Sequence, residues 1–241
     1  MNNKPHISFV MPIRNRNDLI RESIQSIIKQ TNSSWELLII DDNSDNPDEL
    51  IKIIKSYNDN RIKYHRLPLL NGYGQAAARN FGNMLAQSKY IAVMDSDDIA
   101  SSDRISLTLD AFERYNCDLV YGELEIWYPE SNKISLRPDK YKARPFDIEY
   151  FKKYDFIPHS TCTYMKKIAM NFPYNSFFTK ACDYDFLSRV AEHGYILYYI
   201  DKILLKYRQH DRSISKTPVK YNFDDFIRFG RCWDKKKLLD N

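Results

Sequence analysis

Four consecutive residues, Asp95-Ser96-Asp97-Asp98, carry the strongest chemical signal in this chain. They directly follow the apolar run 90–94, which is typical of a strand buried on both faces. Open α/β sheets bind ligands at the edge where such strands end, so these carboxylates are expected to face a cleft. Carboxylate oxygens suit a hard divalent cation, and such a cation suits a diphosphate. The alternative is a solvated turn with acids that cap a helix. Asp is common both in turns and as a helix cap.

Polar clusters also follow two other predicted strands. The basic segment 14–16 (Arg-Asn-Arg) comes after the first strand, and the acidic segment 41–44 (Asp-Asp-Asn-Ser) comes after the second. Independent solvated turns have no reason to recur at one edge of a sheet. The recurrence therefore predicts a binding site that is built from these segments together with 95–98.

Two residues near these clusters have a specific expected chemistry. Asp42 can accept a hydrogen bond from a base N–H, as carboxylates do at nucleobase edges, although a plain polar turn explains it equally well. Arg79 lies in the first turns of a predicted helix, where a guanidinium can clamp a phosphate or stack on a base. The alternative for Arg79 is an ordinary surface position on that helix.

A further acidic cluster lies in the second half of the chain. Asp183 and Asp185 begin a predicted helix whose apolar face packs into the core. Their charge suits a helix start, and a rigidly held carboxylate at a cleft wall can take a proton from an attacking hydroxyl. His210 follows the last predicted strand. Three interpretations are open for it: a third metal ligand besides the aspartates, a partner of the phosphates, or an ordinary loop histidine. His159 is a weaker site candidate.

The elements that must position these residues alternate regularly over the first hundred residues and then become irregular. Strands alternating with helices predict a parallel, Rossmann-like sheet. Asn17 is the expected cap of the first helix, which carries apolar residues at helical spacing from residue 19 to 28. The other predicted helices are 49–57, 76–87, 102–115 and one from about 183. The predicted strands are 7–11, 35–40, 62–65, 90–94, 118–121, 161–165, 195–199 and 203–207.

Length and composition describe a folded globular chain. It has 241 residues and a net charge of +4, without the basic stripe that nucleic-acid binding requires. The four cysteines form no CxxC pair, so neither zinc nor disulfides are expected. No signal-peptide pattern and no run of about 18 apolar residues is present. A soluble, cytoplasmic protein with no nucleic-acid partner is expected.

The segment 223–239 mixes aromatic and aliphatic residues with arginines and lysines. One interpretation is a basic amphipathic helix that makes a peripheral contact with the inner, anionic face of a membrane. The other is a helix packed against the body of the protein. Gly230 in the middle of the segment disfavours both, because glycine weakens a helix.

These residues, in this order, resemble the family 2 glycosyltransferases of the GT-A fold. The matching segments are 8–15, 36–44, 77–80, 90–104, 182–186 and 207–210. Ordered motifs of this number are far more specific than any one of them. The resemblance implies a mostly parallel sheet flanked by helices and merged with an irregular acceptor-binding half. It divides the chain into a nucleotide-sugar-binding half at 1–121, an acceptor-binding and catalytic half at 122–215, and a tail at 216–241 that is predicted to be helical.

The resemblance also assigns roles to the site residues. Asp97 is expected to ligate a Mn²⁺ or Mg²⁺ ion on the diphosphate, with His210 near the ion and the phosphates. Asp183 resembles the catalytic base. Cys182 departs from the family pattern because a Glu is usual there, and the aromatic residue that often stacks on the base is replaced by arginine in this chain. The expected donor site comprises Pro12, Arg14, Asp42, Arg79, Asp95 and Ser96.

The implied function is inverting transfer of a sugar from a nucleoside-diphosphate sugar, with UDP favoured because Asp42 is expected near the base. The implied acceptor is a hydroxyl of a glycan or of a lipid-linked glycan, as in polysaccharide or surface-glycan synthesis. Two alternatives are a nucleotidyltransferase acting on sugar phosphates and a non-catalytic sugar-nucleotide-binding protein. A nucleotidyltransferase usually has a glycine-rich basic loop after its first strand, whereas segment 12–16 contains no glycine.

Overall fold

The computed structural model describes residues 4–68, 73–178, 181–211 and Ser213. Two short 3-10 turns, Asp139–Tyr141 and His159–Thr161, lie between the longer elements. The helices are α1 (Ile20–Ile28), α2 (Pro47–Lys55), α3 (Gln75–Leu85), α4 (Arg104–Tyr115), α5 (Ile148–Lys153), α6 (Lys166–Asn171) and α7 (Cys182–Glu192). The strands are β1 (Ile7–Ile13), β2 (Trp35–Asp41), β3 (Ile62–Arg66), β4 (Tyr90–Val93), β5 (Ile99–Ala100), β6 (Leu119–Tyr128), β7 (Lys133–Leu136), β8 (Thr163–Met165) and β9 (Leu197–Arg208).

The nine strands of the described part form one sheet in the order β3-β2-β1-β4-β8-β6-β9-β5, and β7 pairs with β6 beside this path. Strands β3, β2, β1 and β4 run parallel to one another. Strand β8 is antiparallel to both β4 and β6, and β9 returns parallel to β6. The prediction of an α/β fold with a mostly parallel sheet flanked by helices is therefore confirmed.

Strands β1 and β2 are buried on both faces, and alternate residues enter different cores. Phe9 and Leu37 cluster with Ile24 of α1 on one side of the sheet. Val10 and Leu38 cluster with residues of α3 on the other side. Because side chains alternate along a strand, a helix layer on each face is needed to bury both sets. The ends of these strands are left for the loops that carry the polar clusters.

One long strand replaces two predicted ones near the end of the described chain. The sequence predicts separate strands at 195–199 and 203–207, whereas the structure has a single strand, β9. Asp201 and Lys202 are exposed in the middle of it, at a shift in its register with β6. Such a bulge accommodates polar residues without ending the strand, and this is why the predicted break between residues 199 and 203 does not occur.

The predicted junction between the two halves, 121/122, falls inside β6. Gly122 lies where the register of β6 and β9 shifts. A Cβ atom at Gly122 would lie 2.6 Å from Leu204 Cγ, so a glycine is needed for the close approach of the two strands. Strand β6 therefore runs without a break from one predicted half into the other.

The prediction that Asn17 caps α1 is wrong. Helix α1 begins at Ile20 without a side-chain cap. The Asn17 amide nitrogen instead donates to the Asn46 carbonyl oxygen at 3.2 Å and to Glu49 Oε2 at 2.9 Å. Asn46 is itself the cap of α2. A hydrogen bond to a neighbouring loop has thus competed with local capping, and it fixes the loop after β1 against the start of α2.

No helix within the described ranges is both long enough and apolar enough to cross a membrane. In the same part of the chain, Cys117, Cys162 and Cys182 are buried free thiols. The tail 216–241, including the amphipathic segment 223–239, lies outside the described residues.

Glu36 on β2 is a buried carboxylate with three hydrogen-bond donors. It accepts hydrogen bonds from the Ser8 hydroxyl at 2.6 Å, the Gln87 amide at 2.7 Å and the Lys63 ammonium at 2.7 Å. Burial by itself raises the pKa of Glu36, but the bonds from Lys63, Ser8 and Gln87 outweigh it and hold the pKa below its ordinary value. The charged form of Glu36 therefore stabilises the link between β1, β2 and β3.

We expect Glu36→Gln to lower the free energy of unfolding by about 1–3 kcal/mol at pH 7, because the charged acceptor is lost. The folded-state pKa lies below the unfolded one, so the contribution is present above the unfolded pKa and disappears as pH falls through the folded pKa. Urea unfolding at pH 7 and near pH 4 measures this, with Glu113→Gln on exposed helix surface as the control. A Glu36→Gln deficit that did not shrink at the lower pH would contradict the assignment.

Candidate active site

The loops after β2, β1 and β4 lie side by side, because these three strands are neighbours in the sheet. Asn15 adopts a left-handed conformation with φ of 54°, which asparagine tolerates better than most residues. Its backbone amide donates to Ser44 Oγ at 3.0 Å, and its side-chain oxygen accepts from the Asp45 amide at 2.8 Å. The loops after β1 and β2 are therefore fixed to each other at the edge where the sequence predicts a site.

Asp97, His210 and Arg16 meet at this edge although they are far apart in sequence. Asp97 Oδ2 lies 3.0 Å from His210 Nε2. Arg16 Nη1 lies 3.1 Å from the same nitrogen and 3.8 Å from Asp97 Oδ2. The three side chains are partly buried, with 20%, 14% and 16% of the Asp97, His210 and Arg16 side chains exposed. Solvent and ligands can still reach them.

The spacing of Asp97 and His210 fits the divalent cation that the resemblance implies. Neighbouring ligands of an octahedral ion with bonds of about 2.1 Å are about 3.0 Å apart, which is the observed Oδ2–Nε2 separation. The carboxylate oxygen suits Mn²⁺ and Mg²⁺, whereas an imidazole nitrogen is a softer ligand that is more typical of later transition metals. No group of three or more His, Cys, Asp or Glu residues suited to a metal occurs within the described ranges. Phosphate oxygens and water would have to complete such a site.

Arg79 is a buried residue that holds Asp95 by an ion pair. Its side chain is buried, and Nη2 forms an ion pair with Asp95 Oδ1 at 2.7 Å. Nη1 donates to Gln75 Oε1 at 3.1 Å and lies 3.8 Å from Cys182 Sγ. The alternative of a surface arginine is thus wrong. Because the guanidinium is buried and paired with Asp95, the geometry favours a positioning role.

Asp42 is also almost fully buried, at 4% exposure. Its two carboxylate oxygens accept hydrogen bonds from the Tyr73 amide at 2.6 Å and the Gly74 amide at 2.9 Å. It therefore fixes the chain just before α3, and its remaining lone pairs are the part available to a base N–H. Pro12 is half-buried within β1, and Arg14 is exposed beyond the strand. Their expected contacts with the nucleotide stay predictions.

Asp98 belongs to the acidic segment that was expected to face a cleft, whereas it is buried, and together with Arg208 it holds the site in place. Asp98 is fully buried and accepts a hydrogen bond from the Arg208 amide at 3.0 Å. Arg208 Nε donates to the Asp97 carbonyl oxygen at 2.7 Å, and Nη2 pairs with Glu22 at 2.8 Å. Burial, followed by the charges of Asp95 and Asp97, raises the pKa of Asp98 well above its ordinary value. These contacts bring the end of β9, and with it His210, to Asp97.

Ser96 contributes through its backbone in this structure. The residue is buried, and its carbonyl oxygen accepts a hydrogen bond from the Ser23 hydroxyl of α1 at 2.9 Å. This contact fixes the acidic loop against α1. The expected role of Ser96 in donor binding stays a prediction.

Asp183 and Asp185 at the start of α7 differ in their surroundings. Asp185 is buried and bound by Arg189, with Nη2 at 2.7 Å from Oδ2, so it is a structural residue. Asp183 is partly exposed, and its Oδ1 accepts a hydrogen bond from the Tyr184 amide at 3.0 Å. Of the two acids, Asp183 is thus the one able to take a proton from a bound molecule. Cys182, next to it, contacts Arg79 and so connects α7 to Asp95.

Asp155 is a second acid on this side that the sequence analysis did not identify. Arg137 holds its main chain by donating to the Asp155 carbonyl oxygen at 3.0 Å and to that of Phe156 at 2.9 Å. Asp155 as a residue is exposed to solvent. Desolvation of its carboxyl group, followed by the charge of Asp183, raises its pKa above its ordinary value. Asp155 and Asp183 therefore act on each other electrostatically.

His159 is a core residue and not part of the site. Its Nε2 lies 2.8 Å from the Tyr174 hydroxyl, and its ring packs edge-on against Tyr174 and Phe186. Burial, followed by the charge of Arg79, lowers the pKa of His159 to about 3. The imidazole is neutral at physiological pH and supports the packing of α7.

Comparison with known proteins identifies the class to which this fold belongs. The architecture is that of the GT-A glycosyltransferases. The sequence profile described as "Glycosyl transferase family 2" matches residues 8–172. The chain belongs to this family of glycosyltransferases.

Curated relatives agree with this family. The chain is 30% identical over 242 residues to an uncharacterised glycosyltransferase of Methanocaldococcus jannaschii, covering 99% of this chain and 83% of the relative. It is 31% identical over 235 residues to a putative colanic acid biosynthesis glycosyl transferase of Escherichia coli K12, covering 92% and 80%. A third relative is the E. coli UDP-Glc:alpha-D-GlcNAc-diphosphoundecaprenol beta-1,3-glucosyltransferase, which is 36% identical over 50% of this chain and 46% of its own length.

Solved structures share the fold at low sequence identity. S. aureus TarS in complex with UDP-GlcNAc superposes with a TM-score of 0.76 and 16% identity over 94% of this chain. A mannosyltransferase from Pyrobaculum calidifontis in complex with GDP-Man and Mn²⁺ superposes with a TM-score of 0.64 and 14% identity over 87% of this chain. The chain spans only 65% and 59% of these two solved chains.

Proposed function

We propose that this protein is an inverting glycosyltransferase that moves a sugar from a nucleoside-diphosphate sugar to a hydroxyl group of an acceptor. The observation that carries the proposal is the pair Asp97–His210 at the carboxyl edge of the parallel strands. Asp95 lies in the same loop as Asp97. Arg79 forms an ion pair with Asp95 and contacts Cys182 at the start of α7. The proposed donor-binding edge is thus connected to the start of α7, which carries the proposed base.

The chemistry of the proposed reaction follows from charge. Asp97 and His210 would hold a divalent cation, which acts as a Lewis acid on the departing diphosphate when bound. Asp183 accepts the proton of the attacking acceptor hydroxyl. The acceptor approaches from the face opposite the diphosphate, and this single displacement inverts the anomeric configuration. Asp98 and Arg208 keep His210 beside Asp97 throughout.

A UDP-linked donor is the first choice among nucleotides. The TarS structure that shares this fold holds UDP-GlcNAc, and the E. coli relative with 36% identity is named for UDP-Glc. The Pyrobaculum enzyme holds GDP-Man and Mn²⁺. This supports the proposal of a divalent cation and leaves a GDP-linked sugar as the alternative donor. Asp42 is the residue proposed to distinguish the bases.

The proposed acceptor is a glycan, free or linked to a lipid, in polysaccharide or surface-glycan synthesis. One relative is named for colanic acid biosynthesis and another for a diphosphoundecaprenol-linked acceptor. The part of the chain that holds Asp155 and Arg137 is the proposed acceptor side, because Arg137 binds the Asp155 main chain and Asp155 interacts electrostatically with Asp183.

The first experiment compares thermal stability with UDP, GDP, CDP and dTDP in the presence of Mn²⁺. A ligand at about one hundred times its Kd stabilises by about 2.7 kcal/mol, which corresponds to a Tm rise of about 5–10 °C for a domain of this size. We expect the largest rise with UDP and its loss with EDTA. No rise with any diphosphate would contradict the proposal.

Turnover separates the proposed function from its alternatives. A glycosyltransferase releases UDP from a UDP-sugar, and a nucleotidyltransferase releases pyrophosphate from a nucleoside triphosphate and a sugar phosphate. A non-catalytic binding protein is stabilised by the nucleotide and releases neither product.

A further inference from the structure

Arg16 occupies a position that the roles assigned so far do not explain. Its guanidinium lies 3.8 Å from Asp97 Oδ2 and 3.1 Å from His210 Nε2, the two atoms proposed to hold the cation. The residue before it, Asn15, is locked to the loop after β2 through Ser44 and Asp45. The backbone that leads to Arg16 is thus fixed, so the guanidinium can change its position only by rotation about the side-chain bonds.

Charge at this position has two opposite effects. A guanidinium is permanently positive, so Arg16 compensates the Asp97 carboxylate when no other cation is near. The same charge repels a divalent ion placed between Asp97 Oδ2 and His210 Nε2, because the two positive centres would be only a few ångström apart. A diphosphate reverses this repulsion, since its negative charges attract both the ion and the guanidinium.

We propose that Arg16 is a positioning residue that couples binding of the divalent cation to binding of the nucleoside diphosphate. Without nucleotide, Arg16 holds Asp97 and His210 and weakens cation binding. With nucleotide, the guanidinium turns to the phosphate oxygens and leaves the carboxylate and imidazole to the cation. This inference rests on the proposed function, and it adds that the cation and the donor bind with mutual enhancement.

The test measures Mn²⁺ binding directly, from the electron paramagnetic resonance signal of free Mn²⁺, with and without UDP. The variants are Arg16→Gln and the control Arg21→Gln, which removes the same charge from an exposed position on α1. In the absence of UDP we expect Arg16→Gln to bind Mn²⁺ about tenfold more tightly than the wild type. The enhancement of Mn²⁺ affinity by UDP should shrink in Arg16→Gln and stay unchanged in Arg21→Gln.

Three results would overturn the inference. The first is equal Mn²⁺ affinity of the wild type and Arg16→Gln without UDP, and the second is an equal increase in that affinity in Arg16→Gln and Arg21→Gln. The third is that UDP enhances Mn²⁺ affinity in Arg16→Gln as much as it does in the wild type. Urea unfolding of each variant shows that the comparison is made between folded proteins. Failure of the proposed function has a different signature, because the wild-type protein would then release no UDP from any UDP-sugar. Normal release combined with any of the three results overturns the role of Arg16 alone.

Discussion

Asp183→Asn is expected to abolish sugar transfer while leaving the binding of Mn²⁺ and UDP intact. Asparagine has the shape of aspartate but cannot accept the proton of the acceptor hydroxyl, and general-base catalysis typically contributes about 10²–10⁴-fold to the rate. Its side-chain oxygen can still accept the hydrogen bond from the Tyr184 amide. The start of α7 is therefore expected to keep its structure.

The measurement is UDP release from the most stabilising UDP-sugar, with a panel of glycoside acceptors, alongside the Tm rise caused by UDP and Mn²⁺. Glu192→Gln removes a carboxylate from an exposed position on the same helix and serves as the matched control. Turnover by Asp183→Asn at the wild-type rate would place the base elsewhere. Asp155 would then be the next carboxylate to replace, because it lies within electrostatic reach of Asp183.

Asp97→Ala is expected to remove Mn²⁺-dependent nucleotide binding, and with it transfer. The substitution takes away the carboxylate that lies 3.0 Å from His210 and leaves Arg16 beside an imidazole without its acidic partner. Loss of even an outer partner of a metal ligand commonly lowers affinity about 10–100-fold, so loss of the carboxylate itself should lower the affinity for Mn²⁺ by at least about 100-fold. Transfer should fall by about 10²–10³-fold or more, as expected when stabilisation of the leaving group is removed.

Asp103→Asn is the matched control for Asp97→Ala, because Asp103 is exposed near the start of α4, a few residues beyond the acidic loop. Isothermal titration with Mn²⁺ and UDP together, repeated with EDTA, measures the effect. We expect Asp97→Ala with Mn²⁺ to match the wild type with EDTA. An unchanged Mn²⁺ requirement in Asp97→Ala would show that the ion is held by other residues.

The parallel half of the sheet could be predicted because its signal is local. Each of β1, β2 and β4 is a short apolar run that ends in a polar segment, and the helices between them carry apolar residues at helical spacing. The polar segments meet at one edge for the same reason, since parallel strands end together. Asp97, His210 and Asp183 could therefore be selected as candidates from spacing and from the family resemblance, and their catalytic and metal-binding roles stay predictions.

The arrangement of side chains within the site could not be predicted, because it depends on contacts between distant residues. Arg16 and His210 are 194 positions apart, and Arg79 and Cys182 are 103 apart. Arg79 is likewise buried among groups that are distant in sequence, Asp95 and Cys182. Asp201 and Lys202 have the local appearance of a turn, whereas the pairing of β9 with β6 keeps them in a strand.

Because β9 lies late in the chain, it determines when the pair Asp97–His210 can form during protein synthesis. Translation supplies Asp97 early, but the imidazole beside it arrives only after β9 has emerged and the Arg208 backbone amide has donated its hydrogen bond to Asp98. A nascent chain stopped at residue 196 would contain every parallel strand of the β3-β2-β1-β4 group and none of the contacts that deliver His210. Incomplete products would thus lack the proposed cation site, which would form only when β9 joins the sheet.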